Sequence, residues 1–354
     1  MREIFSMPRY PLTGLYEPVT EPFRDTGYSD QSFLYCEDCS HGKLGTIIAP
    51  EDLYGGSYAH RTGQSNSATQ AALRFAKFIG PVDVDTVIDI GGNDGTLVNQ
   101  FSARNKVIVD PHGTLDGGVV IPHFIHYADL SAYRNERKLI LCSHTLEHIE
   151  DVGAVMDKVA SIWREGDILA ISVPSLEHLV ADNRVDQIDH QHIHYFSAHS
   201  LGELVLNHGF SIARRDFDAM HWGALMAVCG TMASARGAVV PEWKRLLFLW
   251  TMKEHFTDSL PVMPLAAVGF GAGPMVPVLR YWWPELENID RIADNDKSKH
   301  GMRYINWDKP IGDYSLDKRN VVITAISSKL TARALFAEAF AKGARNVTVP
   351  LRTL

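Results

Sequence analysis

The chain is poor in cysteine: four (Cys36, Cys39, Cys142 and Cys229) among 354 residues do not make a disulfide framework, and a reducing compartment is expected. It has no stretch of about 18 apolar residues, and its N-terminus, MREIFSMPRYPLTG, carries no apolar run after its charge. A membrane span and a secretory signal are therefore not expected, and the sequence reads as soluble and cytoplasmic. No long Lys/Arg stripe occurs, and the formal net charge is −8, which argues against a nucleic-acid or anionic-membrane partner. A small-molecule substrate is the expected partner. Internal repeats and low-complexity tracts are also missing. What is present is ample apolar material, 45% of residues, enough for folded cores, and a length that at about 150 residues per domain predicts two or three domains. Histidine is abundant: of sixteen, seven (His178, His190, His192, His194, His199, His208 and His221) fall within 44 residues.

Residues 1–66, rich in Pro, Tyr, Gly and Asp, read as a small lobe of irregular or β structure. From Ala68 the spacing of Ala71, Leu73, Phe75, Ala76 and Phe78 predicts an amphipathic helix stopped by Gly80 and Pro81. Four short apolar runs follow, TVIDI, KVIVD, KLILCS and DILAISV, with helical or loop stretches between them, the pattern of a parallel α/β sheet. SLGELVLNHGF predicts another helix, and residues 221–236 are placed to close that sheet. After a helical segment at 241–258, AAVGFGAG, MVPVLRYWW, IDRIADND, VVITAIS, LTARALFAEAFAKGA and NVTVP predict a second, smaller α/β sheet. The expected fold class is thus α/β, with a central Rossmann-like domain at 67–240, a small lobe at 1–66 and a second Rossmann-like lobe at 241–354.

The run Val87-Ile-Asp-Ile-Gly-Gly-Asn-Asp-Gly-Thr96 is the most informative. A strand enters glycines that let the backbone turn tightly beside a ligand, and a helix is expected next. The spacing is not G-x-G-x-x-G, and Asp89 and Asp94 would repel a pyrophosphate. They suit a cation and hydroxyls, which S-adenosylmethionine offers as a sulfonium, an α-amino group and a ribose diol. Asp110, at the end of the next strand, is placed to accept hydrogen bonds from that diol.

On DIGGNDGTLV at 89–98, VDP at 109–111, LCSHTLEHIEDV at 141–152, VPSLEHLV, and DQIDHQHIHYFSAHSL at 186–201, with AAVGFGAG and IADNDKSKHG beyond, the chain resembles the S-adenosylmethionine-dependent C-methyltransferases that act on nucleotide-linked deoxysugars. The resemblance implies that the methionine end of the cofactor lies near Asp89, Gly91, Gly92, Asn93, Asp94, Gly95, Ser143 and His144, with the ribose on Asp110. It implies a catalytic base in a Tyr-x-Glu-His pattern, whose positions here are Asp189, His190, Gln191 and His192. Methylation beside a ketone needs a base for the α-proton and a partner for the enolate oxygen, and a near-neutral histidine suits the first task. Gln191 cannot accept that proton or raise the basicity of His192, so the carboxylate's role passes to Asp189 or is lost. His148 is expected to cap or orient its loop. The relatives drop a tyrosine into the site from the stretch where Tyr58 and His60 stand, so these two are candidates for holding the ketone or moving a proton.

Two metal readings compete. His190, His192 and His194 alternate and would share one face of an extended strand, as in HxH metal sites. The relatives also bind a structural zinc through two cysteine pairs. Here a single pair, Cys36 and Cys39, with His41 falls short of four ligands, which argues against zinc. In the C-terminal lobe Gly269, Gly271, Gly273 and Asp294 form a Rossmann-like turn, and by resemblance this turn with Lys299 and Gly301 holds the nucleotide of a sugar nucleotide. The expected activity is C-methylation beside the ketone of a nucleotide-linked sugar. O- or N-methylation of another polar molecule, and a binding or scaffold role without catalysis, are the alternatives.

Overall fold

The structure is a computed structural model that describes residues 1–49, 53, 61–221, 223–231, 242–326 and 328–350. The first lobe contains β1 (Arg2–Pro11), β2 (Tyr16–Pro18), β3 (Tyr28–Cys36) and β4 (His41–Leu44). Helix α1 (Asn66–Ile79) opens where the Ser65 side chain accepts the Ala68 amide, and closes at Gly80, whose φ of 78° favours glycine. Its buried face is Ala72, Phe75 and Ile79, one residue round from the expected stripe, and Leu73 lies exposed.

Next come β5 (Thr86–Ile90), β6 (Asn105–Val109), β7 (Val119–Ile121), β8 (Lys138–Ser143), α2 (Val152–Ile162), β9 (Ile168–Val173), α3 (Leu176–Ala181), β10 (His194–Tyr195), α4 (Ala198–Asn207), β11 (Phe210–Asp218) and β12 (Ala224–Thr231). Seven of these strands form one sheet in the order β11-β12-β9-β8-β5-β6-β7. From β9 to β7 all pairs are parallel, whereas β12 runs antiparallel to both β9 and β11. Every residue of β5 is buried, as a strand covered on both faces requires. The 221–236 stretch thus supplies β12, which extends the sheet beside β9. Strand order reverses between β5 and β8, so their C-terminal ends open a crevice where ligands of open α/β sheets bind.

The last segment adds α5 (Glu242–Ser259), β13 (Ala267–Phe270), α6 (Val276–Trp282), β14 (Ile292–Ala293), β15 (Met302–Tyr304), β16 (Ile311–Gly312), β17 (Asn320–Ile323), α7 (Lys329–Ala341) and β18 (Asn346–Thr348). Five strands form a parallel sheet in the order β16-β14-β13-β17-β18.

Chain segments cross between these layers. β10 joins the β1-β3-β4 sheet through β4, and β15 pairs with β2. One core unites Met7, Tyr10 and Phe33 of the first lobe with Ile188 and Tyr195 of the histidine-rich segment and Trp282 and Trp307 of the last lobe. Arg303, 5% exposed, reaches Glu17 at 2.8 Å and Asp308 at 2.7 Å. The histidine-rich segment, joined to the first lobe through β10 and β4, reaches the turn after β8 where His148 meets the Gln191 carbonyl.

Candidate active site

Three parts converge at the switch between β5 and β8. The first is the glycine turn. Gly91 and Gly95 take φ of 75° and 76°, conformations that L side chains avoid. A Cβ on Gly91 would fall 2.3 Å from Thr145 Oγ1, and one on Gly92 would fall 3.0 Å from the Asp89 side chain. Asp110 accepts the Asn93 amide at 3.0 Å and the His112 amide at 2.8 Å. A carboxylate has about four lone-pair sites, so acceptor capacity remains for a diol at this strand end. The turn and Asp110 therefore fit an adenosine ribose.

The other two acids serve the turn itself. Asp89 lies beneath it, 2% exposed; burial and then the neighbouring Asp110 charge push its carboxyl up to about 7. Asp94 accepts Thr96 Oγ1 and the Gly63 amide, both at 2.6 Å. Burial raises the Asp94 carboxyl, but these bonds outweigh it and leave it below the usual carboxylate range. The stretch 61–64 is also pinned by Asn93 Oδ1, which accepts the Thr62 amide at 3.3 Å, and by Arg61, which donates to the His112 carbonyl at 2.8 Å. Tyr58 and His60, just before this stretch, lie outside the described residues.

The second part is the turn after β8. His144 has φ 50° and its amide donates to the Ser172 carbonyl at 2.8 Å, so Ser143 and His144 sit across the switch from Gly91. Glu147 and His148 follow. Glu147 is fully buried, with His144 Nδ1 3.3 Å from Oε1. His148 Nδ1 lies 2.8 Å from the Gln191 carbonyl, which fixes the proton on Nδ1 and leaves Nε2 as the basic nitrogen. The ring packs edge-on against His192, centroids 4.9 Å apart. Burial lowers the basicity of His148 and the Glu147 charge partly restores it. The bond to the Gln191 carbonyl orients this loop against the later segment and places His148 beside His192.

The third part is the segment 189–194, where alternation does not give a shared face. His190 is hydrogen-bonded to Gln31 Nε2 and the Tyr10 carbonyl, both at 3.2 Å. His194 meets His41 Nε2 at 2.9 Å and the Glu150 carbonyl at 3.2 Å. Only His192 joins the cluster. Just His194 and Tyr195 are strand, so the period of two behind the HxH reading does not apply. Burial takes His41 down to about 3 and His194 to about 4, and both are held as neutral imidazoles. His41 spends its other nitrogen on Ser200 Oγ at 3.3 Å and so does not turn a free nitrogen to Cys36 and Cys39.

Asp189 Oδ2 stands 3.6 Å from His192 Nδ1, while its Oδ1 accepts the Gln191 amide at 2.7 Å. The Gln191 side chain points elsewhere, 3.4 Å from Thr13 Oγ1, with Gly14 and Pro274 in contact across the lobes. Of the two positions beside His192 that the resemblance singles out, 189 and 191, it is Asp189 whose side chain faces the ring. Glu147 was not singled out from the sequence; its only signal was a glutamate directly before His148.

In the last lobe Gly271 packs against Ala325, and Asp294 accepts the Ala272 amide. Lys299 Nζ donates to the Ala272 carbonyl at 3.1 Å. Helix α6 begins at Val276 without a side-chain cap. Asp294 and Lys299 thus tie down the turn between β13 and α6; Gly269 lies within β13, the Gly273 carbonyl accepts the Tyr304 hydroxyl at 2.7 Å, and the Gly301 amide donates to the Ile311 carbonyl at 2.9 Å.

The strand order, parallel centre and glycine turn after β5 define a Rossmann-like α/β domain. Residues 60–214 match the family described as "Methyltransferase domain". The C-methyltransferase NovU of Streptomyces niveus is 26% identical over 216 residues, covering 57% of this chain and 51% of that protein; the chain spans about half the length of this curated relative. Among solved structures, 1,6-didemethyltoxoflavin-N1-methyltransferase of Burkholderia thailandensis is 14% identical, covers 57% of this chain and 96% of its own, and has a TM-score of 0.41. Magnesium protoporphyrin IX methyltransferase of Synechocystis PCC 6803 is 14% identical, covering 51% and 92%, with a TM-score of 0.35.

Proposed function

We propose that the chain transfers a methyl group from S-adenosylmethionine to a carbon beside the ketone of a nucleotide-linked sugar, with His192 as the base. The observation that carries this reading is the His192–His148 pair, bracketed by Asp189 and Glu147, at the crevice where the glycine turn and Asp110 fit a nucleoside. Acid–base groups of this kind suit carbon acidity, which transfer to an oxygen or nitrogen lone pair does not require, and the relative named a C-methyltransferase supports the same choice. The bound cofactor supplies an electrophilic methyl on sulfur.

The residues of the chain supply the rest. Asp110 and the main chain around Gly91 to Gly95 orient the donor. His192 removes the proton next to the ketone, and Asp189 stabilises the imidazolium that forms. His148, fixed by the Gln191 carbonyl, stands beside His192 to exchange a proton or donate to the developing enolate oxygen. The sugar's nucleotide is assigned to the last lobe beside Gly271, Asp294 and Lys299, so that binding far from the reacting carbon helps to orient it.

Incubation with S-adenosylmethionine and a set of nucleoside-diphosphate ketosugars in deuterated water tests the reading. A product heavier by one methyl, together with deuterium entering beside the ketone, is expected. Methylated product without any deuterium exchange would move the reaction to oxygen or nitrogen, and no product with any of the set would overturn it.

A further inference from the structure

Glu147 is wholly buried, and the reaction above assigns it no step. It sits on the single helical turn Leu146–His148 between β8 and α2. Neither of its carboxylate oxygens accepts a hydrogen bond from a described residue, and His144 Nδ1 stands 3.3 Å from Oε1. A carboxylate taken out of water without donors is costly unless a positive charge meets it. Two imidazoles approach it from different parts of the chain: one donor atom each of Glu147, His148 and His192 lie within 4.8 Å of one another. Bonds of about 2.0–2.2 Å from these atoms to one ion need only side-chain rotations that draw them together. Among the described residues no other three His, Cys, Asp or Glu side chains are grouped this closely. The His148 Nδ1 lies 2.8 Å from the Gln191 carbonyl, which leaves Nε2 with the lone pair. A histidine whose second nitrogen donates to a main-chain carbonyl has the usual orientation of a metal ligand. Asp189 Oδ2, 3.6 Å from His192 Nδ1, adds a second negative charge, so a divalent ion would leave this buried group neutral.

We propose that Glu147, His148 and His192 form a binding site for one divalent transition-metal ion. Two imidazole nitrogens and a carboxylate oxygen suit an ion of the zinc class, whereas magnesium and calcium prefer oxygen ligands. Three protein ligands leave at least one coordination position for water or for an oxygen of a small molecule. A bond to the ion engages the lone pair with which His192 would take a proton. Ion binding and proton removal are therefore alternative states of the same ring: the loaded site is inactive, and the methyl transfer runs on the ion-free one. The site itself does not depend on the ketosugar reading; its inhibitory consequence does.

Calorimetric titration of the full-length, chelator-treated protein with zinc, and visible absorption with cobalt(II), read the site without substrate. One equivalent of either ion is expected to bind. Zinc affinity should fall roughly 100-fold or more in E147Q and in H192N, since loss of even an outer partner of a metal ligand costs about 10- to 100-fold. It should be unchanged in C36S/C39S, and S-adenosylhomocysteine binding should persist in all three variants as the sign that they are folded. If E147Q does not fold, H148N and H192N decide in its place. Absence of stoichiometric zinc binding, wild-type affinity in the E147Q, H148N and H192N variants that fold, or loss of binding in C36S/C39S would overturn the proposal. With the nucleoside-diphosphate ketosugars in deuterated water, zinc should stop deuterium entry and a chelator should restore it; entry undiminished by bound zinc would overturn the exclusion. Zinc binding with no deuterium entry in either state retires the ketosugar reading and leaves the site. Deuterium entry without zinc binding retires the site and leaves that reading.

Discussion

His148 Nδ1 lies 2.8 Å from the main-chain carbonyl of Gln191, 43 residues later, and this hydrogen bond, with the Ile193 amide donating to the Glu147 carbonyl at 2.7 Å, ties the turn after β8 to the histidine-rich segment. It fixes which imidazole nitrogen is basic and holds His148 edge-on to His192. Position 191 thus contributes its backbone to the site while its side chain leaves for Thr13.

Loss of either ring should disable proton transfer without disturbing the cofactor. His192→Asn and His148→Asn are each expected to lower methyl transfer to a nucleoside-diphosphate ketosugar by about 10²- to 10⁴-fold. Calorimetric binding of S-adenosylhomocysteine should be unchanged in both. Wild-type turnover in H192N would remove the histidine from the mechanism.

Asp110 offers acceptors both to the Asn93 and His112 amides and to a bound ribose. Asp110→Ala should weaken S-adenosylhomocysteine binding by roughly 10- to 100-fold, the worth of about 1.5–3 kcal/mol for hydrogen bonds to a charged group. Calorimetry reads this directly, and an unaltered Kd would place the ribose elsewhere.

Asp89 makes stability depend on pH. Its carboxyl is pushed up to about 7 in the folded chain by burial and the Asp110 charge, against about 3.9 when unfolded. The folded state holds this proton more tightly, so the contribution is complete below pH ~4 and is lost as pH rises through ~7. In urea melts of the unliganded protein at pH 5 and pH 8, Asp89→Asn should show a smaller loss on the alkaline side than wild type. Equal losses would mean that Asp89 does not titrate in this range.

At the opposite end of the sheet, Lys138 and Asp167 form a fully buried pair at 2.7 Å, and Asp167 also accepts the Lys138 and Arg164 amides at 2.9 Å. Asp167→Ala strands a buried ammonium and two amides, so it should cost about 3–5 kcal/mol in urea unfolding. A cost below about 1 kcal/mol, the range of surface pairs, would show that the pair is solvated.

The sequence by itself determined the local elements. Apolar runs marked β5, β6, β8, β9, β13 and β17, because strands buried on both faces leave little room for polar residues. Glycines at 91 and 95 marked a turn only they can make, and Asp110 followed from its distance along the chain. Its reach ended where function depends on which segments meet. Alternating histidines suggested one face, but the strand is two residues long, and Tyr10, Gln31 and His41, all distant in sequence, take His190 and His194 away. Asp89 and Asp94 read as ligand groups, yet burial beneath the turn and the Gly63 amide claim them. Glu147 gained its significance from three histidines brought around it by the fold. Tertiary structure decided these points because an acid or an imidazole is given its protonation and its partner by burial and neighbouring charge, and neither is a property of the residues next to it in the chain.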